Sequence, residues 1–464
     1  MPCSRIDSHL AFPRFFESSR VRVVVALALL VSLAIFRTRR IPDTFWLMGD
    51  QILYWKMAIG SWRDLPLGGG PSSVGGSTLG PAFVWILWAI RHAVGPFTDN
   101  LPHAGGIGIS ILQSAADAVF FVAIWKRFES LPLALAVTLF AATSPFDMEV
   151  SATIWNPPVA VALVKLTIAF VLFGGMDGSL WWGAAATAAA LLALQTHMSG
   201  LFVALPAIAA FPAREWLAER QHRAWIVAGV SALIVAVLEA PFVFDLIAGP
   251  PRPASPSLIA YSVRHTFAHP ETLRPAASFR EVAEACNFIL LQPWSFSWFG
   301  TALVCAAVVV MVRMRRDVTL IGVTVAPLAF AVAGFAFWQL PYDHYWFLTL
   351  APSAALTIGL ALVAWQPAAR FVAIALALLV LAIQPARFAS AMTALRLPQY
   401  GALVRGTKEV RARTSEVRSL ETGQLGLPPS TDPVFVYEIL GGRVAPEAPL
   451  AATIDASGHA RFTP

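Results

Sequence analysis

Residues 44–85 read TFWLMGDQILYWKMAIGSWRDLPLGGGPSSVGGSTLGPAFVW. The stretch follows the first long apolar run, residues 21–36, and is too polar, too glycine-rich and too aromatic to cross a bilayer. Asp50 comes four residues after Trp46 and four before Tyr54, so a helix puts all three on one face and sets a lone carboxylate beside aromatic rings. Leu47, Ile52, Leu53, Trp55, Met57 and Ile59 surround it, which suits a helix lying at the membrane surface. Gly68 to Thr78 form a flexible polar crossing whose backbone N–H groups can approach a phosphate or a sugar. A second aromatic helix is expected over 80–94, 15 residues against the ~20 that a span needs.

Working outward, 57% of the 464 residues are hydrophobic and 13% charged, whereas soluble domains carry about 25% charged residues. Apolar runs longer than a core helix recur along the chain, so it reads as a multi-spanning helical membrane protein. The runs lack the period-two alternation of a membrane barrel. The net charge of +6 reflects basic residues at span ends, and no basic helix or motif points to nucleic acid. The three cysteines, Cys3, Cys286 and Cys305, make no disulfide framework or metal-type pair. Arg20 and Arg22 stand at the start of the first run and Arg37, Arg39 and Arg40 after it, with no small-residue cleavage site. It reads as a retained signal anchor.

The expected fold is an all-α polytopic membrane protein of about 11 transmembrane helices, at 21–36, 105–125, 131–143, 157–174, 180–194, 201–211, 225–244, 296–312, 320–338, 345–365 and 371–383. Every cytoplasmic turn but 175–178 then carries Lys or Arg. Residues 1–20 form a cytoplasmic N-terminus, and 21–386 the transmembrane region. Within it, 37–104 is a first outer loop with two membrane-surface helices. Residues 245–293 are a long proline-rich outer loop, a lid or acceptor platform. Residues 387–464 make a small extracytoplasmic α+β domain, with a charged helix at 400–420 and strands at 434–437, 451–454 and 460–463. Arg37, Arg39 and Arg40 fall on the outer side, where they would meet lipid phosphate or anionic headgroups.

Asp50-Gln51 with Tyr54 and Ala58, the turn Gly80-Pro81, and Ala142-Thr143-Ser144-Pro145 together resemble the C-type glycosyltransferase superfold. The similarity is closest to bacterial polyprenyl-phosphate-sugar-dependent members related to protein O-mannosyltransferases and lipid A aminoarabinose transferases. It covers residues 21–212 well and the later spans by topology. The chain departs from the pattern at Gln51, where an acid is common, and at Asn156, where an Asp often begins the fourth span.

The resemblance implies transfer of a monosaccharide, with inversion, from a polyprenyl-phosphate donor to an envelope glycan, glycolipid or protein on the outer face of the cell inner membrane. Asp50 would be the general base, since a carboxylate near apolar surface is a stronger one. The leaving phosphate calls for cations, with Lys56, Arg63 and Arg40 as candidates beside Tyr54. His197 and His344 fall at the depth of that site and could bind donor phosphate or acceptor. Asp147, Glu149 and Asn156 belong to the second outer loop. No cofactor is certain, but Asp147 and Glu149 have the spacing of the acidic pair that holds a divalent metal, Mg or Mn, in related oligosaccharyltransferases.

Intramembrane charges need partners. Asp117, Lys165 and Glu239 are such charges, and Asp117 with Lys165 would make a buried pair, structural or on a transport path. A lipid-linked-sugar flippase or transporter using these three is the rival reading, although the matching broken spans that would mark it are not found. A non-catalytic member of the same scaffold is the third.

Overall fold

The computed structural model describes residues 19–39, 49–70, 79–98, 101–151, 153–249, 257–340, 342–364, 368–394, 398–423 and 432–464. The chain is a polytopic all-α membrane protein. Among the described residues seven helices are long and apolar enough to cross a bilayer, eight if one bent pair is a single span. The expected spans at 180–194, 296–312 and 320–338 contain apolar helices of 17, 16 and 12 residues, shorter than the ~20 residues that cross the hydrocarbon core. A count of eleven rests on these three.

The first half runs α1 (Ser19–Thr38), the loop helices α2 (Gly49–Met57) and α3 (Ala82–Val94), α4 (Leu101–Phe128), α5 (Leu131–Ala142), α6 (Pro145–Ser151), α7 (Asn156–Asp177), α8 (Leu180–Thr196), α9 (Leu201–Leu217) and α10 (Gln221–Ala248). Local chemistry sets the ends. Ser130 caps α5 by accepting from the Leu133 N–H, and Ser179 caps α8 through Trp181. Gly178, at φ 67°, closes α7 in the left-handed conformation. The apolar window of α7 is 78% buried and that of α10 only 11%, so α7 is the centre of the bundle and α10 faces lipid.

The third span ends at the expected point and continues as a second, bent helix. Pro145 lacks an N–H and disfavours helical backbone at Ser144, and α5 and α6 meet there at 60°. Asp147 and Glu149 therefore lie on a short helix, not in a loop.

In the second half come α11 (Leu258–Ala268), α12 (Pro275–Leu291), α13 (Phe299–Met314), α14 (Val318–Val323), α15 (Val325–Ala336), α16 (Ala351–Val363) and α17 (Ala369–Ala394). The long outer loop expected at 245–293 is largely helical. Cys286, Ile289 and Leu290 of α12 are fully buried, so α12 belongs to the packed core and is not a lid.

The C-terminal segment holds α18 (Pro398–Arg413), β1 (Glu416–Val417), β2 (Leu420–Thr422), α19 (Pro433–Ile439), β3 (Arg443–Val444), β4 (Ala451–Ile454) and β5 (Ala460–Thr463). β1 and β3 pair in parallel, as do β2 and β4, and β4 pairs antiparallel with β5. The strands expected at 451–454 and 460–463 are β4 and β5. The strand expected at 434–437 is instead helix α19, because Asp432 caps it through the Val434 N–H and Pro433 occupies its first turn. The charged helix ends at Arg413, and β1 and β2 occupy the rest of 400–420.

This segment sits on the first outer loop. Lys56 Nζ lies 5.1 Å from the centre of the Phe435 ring, and the rings of His103 and Tyr400 are 5.4 Å apart. Elsewhere, at the opposite ends of α4 and α7, Arg127 pairs with Asp317 at 2.6 Å, and Glu215 lies among Arg214, Arg220 and Arg223.

Candidate active site

The first outer loop is held in shape by the aromatic face of α3. Trp85 Nε1 donates to the Pro66 carbonyl at 3.0 Å and Trp88 Nε1 to Gly60 at 3.2 Å, while Arg91 donates to the Ile59 carbonyl. The two sides of the glycine-rich crossing are pinned by Gly69 N–H to Leu79 O at 2.7 Å and Leu79 N–H to Gly70 O at 2.9 Å. Tyr54 is buried, its ring edge-on to Phe83 at 4.8 Å. A Cβ on Gly70 would meet that ring at 2.7 Å, so glycine is required where the crossing passes Tyr54. Tyr54 is thus a packing anchor under the loop.

Asp50 opens α2 with one side at the surface. Its carboxylate accepts from the Gln51 N–H at 2.9 Å and from the Trp155 indole. Those donors and the helix N-terminus favour the charged form. Desolvation by the surrounding protein outweighs them, so the carboxyl sits above the ordinary aspartate value. An aspartate held this way is a stronger base than a solvated one.

Trp155 is the residue that the sequence reading missed. It precedes the Asn156-Pro157-Pro158 start of α7 and takes an extended backbone conformation there. Its ring lies 4.8 Å from Tyr345, and Tyr345 lies 5.8 Å from His197. Asp50, Trp155, Tyr345 and His197 thus form one continuous wall, built from α2, the start of α7, the end of α8 and the turn before α16. An aromatic residue directly before a Pro-initiated helix, at the same end of the bundle as Asp50, was the available signal.

His197 is buried and caps the turn after α8. Its Nδ1 accepts from the Ser199 N–H at 3.2 Å and lies 2.7 Å from Ser199 Oγ, which leaves the ring proton on Nε2. Burial lowers its pKa to about 4, so at neutral pH it offers an N–H and no positive charge. His344 is exposed and stacks on Phe288 at 4.6 Å. Asn156 Nδ2 donates to the Thr196 carbonyl at 3.0 Å, tying α7 to α8. Arg63 is exposed over Trp62. Arg40 and Trp46 lie outside the described residues.

Below the site is a buried charge cluster. Asp117 is ion-paired with Arg37 at 2.8 Å and with Lys165 at 2.8 Å. Asp147 receives Arg37 at 3.3 Å and Gln113 at 3.3 Å, with Lys165 at 3.7 Å. Arg37 also donates to the Ala142 carbonyl at 2.9 Å, and Arg387 to Phe140 and Leu290 at 2.9 and 3.0 Å. These carbonyls belong to the ends of α5 and α12, so the two arginines satisfy backbone that those helix ends leave open. The expected Asp117–Lys165 pair is present. Arg37 is not at a headgroup position; it is fully enclosed. Glu239 accepts from Gln195 at 3.2 Å.

The metal reading of Asp147 and Glu149 does not fit this arrangement. Residues two apart on a helix do not face each other, and Asp147 turns inward onto two cations. Among the described residues no group of three His, Cys, Asp or Glu side chains gathers around a common point.

No family profile matches the sequence, and no curated protein aligns with it significantly. Solved structures do match. ArnT from Cupriavidus metallidurans bound to undecaprenyl phosphate superposes with a TM-score of 0.54 at 14% identity, covering 93% of this chain and 87% of that one. The Archaeoglobus fulgidus oligosaccharyltransferase in its apo form gives 0.50 at 14% identity over 94% of this chain. Its complex with zinc and sulfate gives 0.50 at 15%. The chain spans 65% of the length of the apo oligosaccharyltransferase. At these identities the likeness is one of fold: this chain shares the fold of the ArnT and oligosaccharyltransferase structures.

Proposed function

We propose that the protein transfers a monosaccharide from a polyprenyl-phosphate donor to an acceptor hydroxyl of an envelope glycan, glycolipid or protein, on the extracytoplasmic face of the inner membrane. The observation that carries the proposal is Asp50, raised in pKa by its surroundings and oriented by Trp155, on the scaffold shared with a structure bound to undecaprenyl phosphate. Asp50 takes the acceptor hydroxyl proton as the oxygen attacks the anomeric carbon from the face opposite the phosphate. The bond from that carbon to the phosphate oxygen breaks, and polyprenyl phosphate leaves with the electron pair, inverting the centre. Lys56 and Arg63, with Arg40, supply positive charge for the leaving phosphate. His197 and His344 flank the donor sugar and phosphate, His197 as a neutral donor. The C-terminal segment, on the same side, narrows access over α2.

The test is release of polyprenyl phosphate from a lipid-linked sugar mixture by purified protein in detergent. Removing a general base costs about 10²- to 10⁴-fold, so Asp50→Asn should fall by that factor with the fold retained. Equal rates would remove Asp50 as the base. No release by the native protein across a broad donor panel would turn the reading toward a flippase or a non-catalytic scaffold member.

A further inference from the structure

A cavity of about 160 Å³ opens beside His197, walled by Phe202, Ile259, Phe335, Trp338 and Trp346. The rings form a cluster, with Trp338 edge-on to Trp346 at 5.3 Å and Phe335 6.2 Å from Trp338. Trp338 is 7% exposed. The indole N–H groups of both Trp338 and Trp346 are buried with no hydrogen-bond partner among the described residues. Buried indoles ordinarily find an acceptor, so two orphan donors at one cavity wall ask for a ligand that accepts.

The His197 Nε2 proton adds a third donor, because Nδ1 is occupied by Ser199. Through Tyr345 and Trp155 this wall is continuous with Asp50. A space below the roughly 300–1,000 Å³ of drug-sized pockets takes one small rigid group and not an oligosaccharide. Aromatic faces and convergent N–H donors, with no charged side chain in the wall, match a neutral pyranose. Its C–H face lies flat on rings and its hydroxyl oxygens accept.

We infer that this cavity is the seat of the transferred sugar ring of the donor, held by the Trp338 and Trp346 N–H groups and stacked on the Phe202–Phe335 side. The inference rests on the glycosyltransferase reading for its substrate class. It assigns Trp338 and Trp346 as specificity residues, distinct from the base. Phosphate recognition is left to the cations of the first outer loop, so the cavity distinguishes sugar-bearing lipid from the bare lipid phosphate.

The experiment loads Asp50→Asn protein in detergent with an equal mixture of bare polyprenyl phosphate and polyprenyl-phosphate-linked sugars, then measures both lipids retained after gel filtration by mass spectrometry. The sugar-bearing lipid should be enriched by about tenfold or more, as expected for two neutral hydrogen bonds of the usual net strength. Trp338→Phe with Trp346→Phe keeps the rings and deletes the donors. Ile259→Trp fills the space without touching the polar groups. Both variants should lose the enrichment and retain bare polyprenyl phosphate as the parent does, which also shows that they fold. No enrichment in the parent, enrichment surviving in both variants, or equal loss of bare lipid in both would overturn the inference. Enrichment that behaves as stated, together with equal release by native protein and Asp50→Asn, would leave the cavity standing and remove the catalytic reading instead.

Discussion

Replacing Asp117 by Asn tests whether the charge cluster under the site is a clamp. Asp117 is fully buried and lies 2.8 Å from both Arg37 and Lys165. With an effective dielectric of about 20, each such contact is about 6 kcal/mol of attraction before desolvation is counted. Desolvation of the ions takes most of that back. Removing one partner of a buried pair nonetheless costs about 3–5 kcal/mol, because the remaining charge stays buried. Asp117→Asn leaves two cations facing the single carboxylate of Asp147 and should cost that amount. Adding Lys165→Met restores neutrality, since Arg37 keeps Asp147 at 3.3 Å, and should recover more than half of the loss. The assay is unfolding of detergent-solubilised protein by titrated denaturing detergent, followed by circular dichroism. A single variant costing under about 1 kcal/mol, or a double variant worse than the single, would refute the clamp.

Two further outcomes follow from the first outer loop. As the proposed base, Asp50 would act as the anion, so polyprenyl phosphate release should rise with pH through a value above the ordinary aspartate pKa of about 4. Trp155→Phe removes a donor to the carboxylate and should move that limb to higher pH; a rate profile unmoved or moved downward would count against the Asp50–Trp155 contact. Gly69→Ala places a Cβ 2.4 Å from the Gly80 carbonyl oxygen, against backbone that cannot rotate away. It should open the Gly69–Leu79 pairing at a cost of about 1–3 kcal/mol, read as faster hydrogen exchange of the Leu79 amide. Gly229→Ala, with nothing within 4 Å of its Cβ, is the control and should be neutral or stabilising by about 0.8–1 kcal/mol.

What the sequence revealed and what it hid divide along the range of the interactions. The end of the third span was visible at Ser144-Pro145 because a proline acts on its own neighbour, but its continuation as a second, bent helix was not. Asp50 stood out because it is a lone acid on an aromatic surface helix. Asp117 and Lys165 announced a pair because charges in an apolar run need one. Arg37 did not, since Arg37, Arg39 and Arg40 after an apolar run read as contacts to lipid phosphate or headgroups, and only the packing of α1 on α4 draws Arg37 inside. The helix at 433–439 was misread from the β-branched and aromatic run, although the local Asp432-Pro433 cap was present to contradict it. Trp155, Trp338 and Trp346 were passed over because indoles are common at span ends, and their roles depend on which distant helices meet there.

These features converge on one physical problem. A general base needs an apolar setting, yet a flexible surface loop cannot provide one alone. Here burial by the surrounding protein raises the Asp50 pKa while the Trp155 indole orients the carboxylate and favours its anion; Trp155 is placed by the start of α7, and the Asn156 side chain ties that start to the end of α8. α7 in turn is fixed to α4 by Lys165 reaching Asp117 and to α6 by Lys165 reaching Asp147, with Arg37 and Arg387 closing carbonyls at the end of α5. The intramembrane charges that would suit a transport path are therefore engaged in a static task. They hold the wall on which the proposed base Asp50 rests, so Asp117→Asn should weaken Asp50 function through stability before it changes any chemistry at the site.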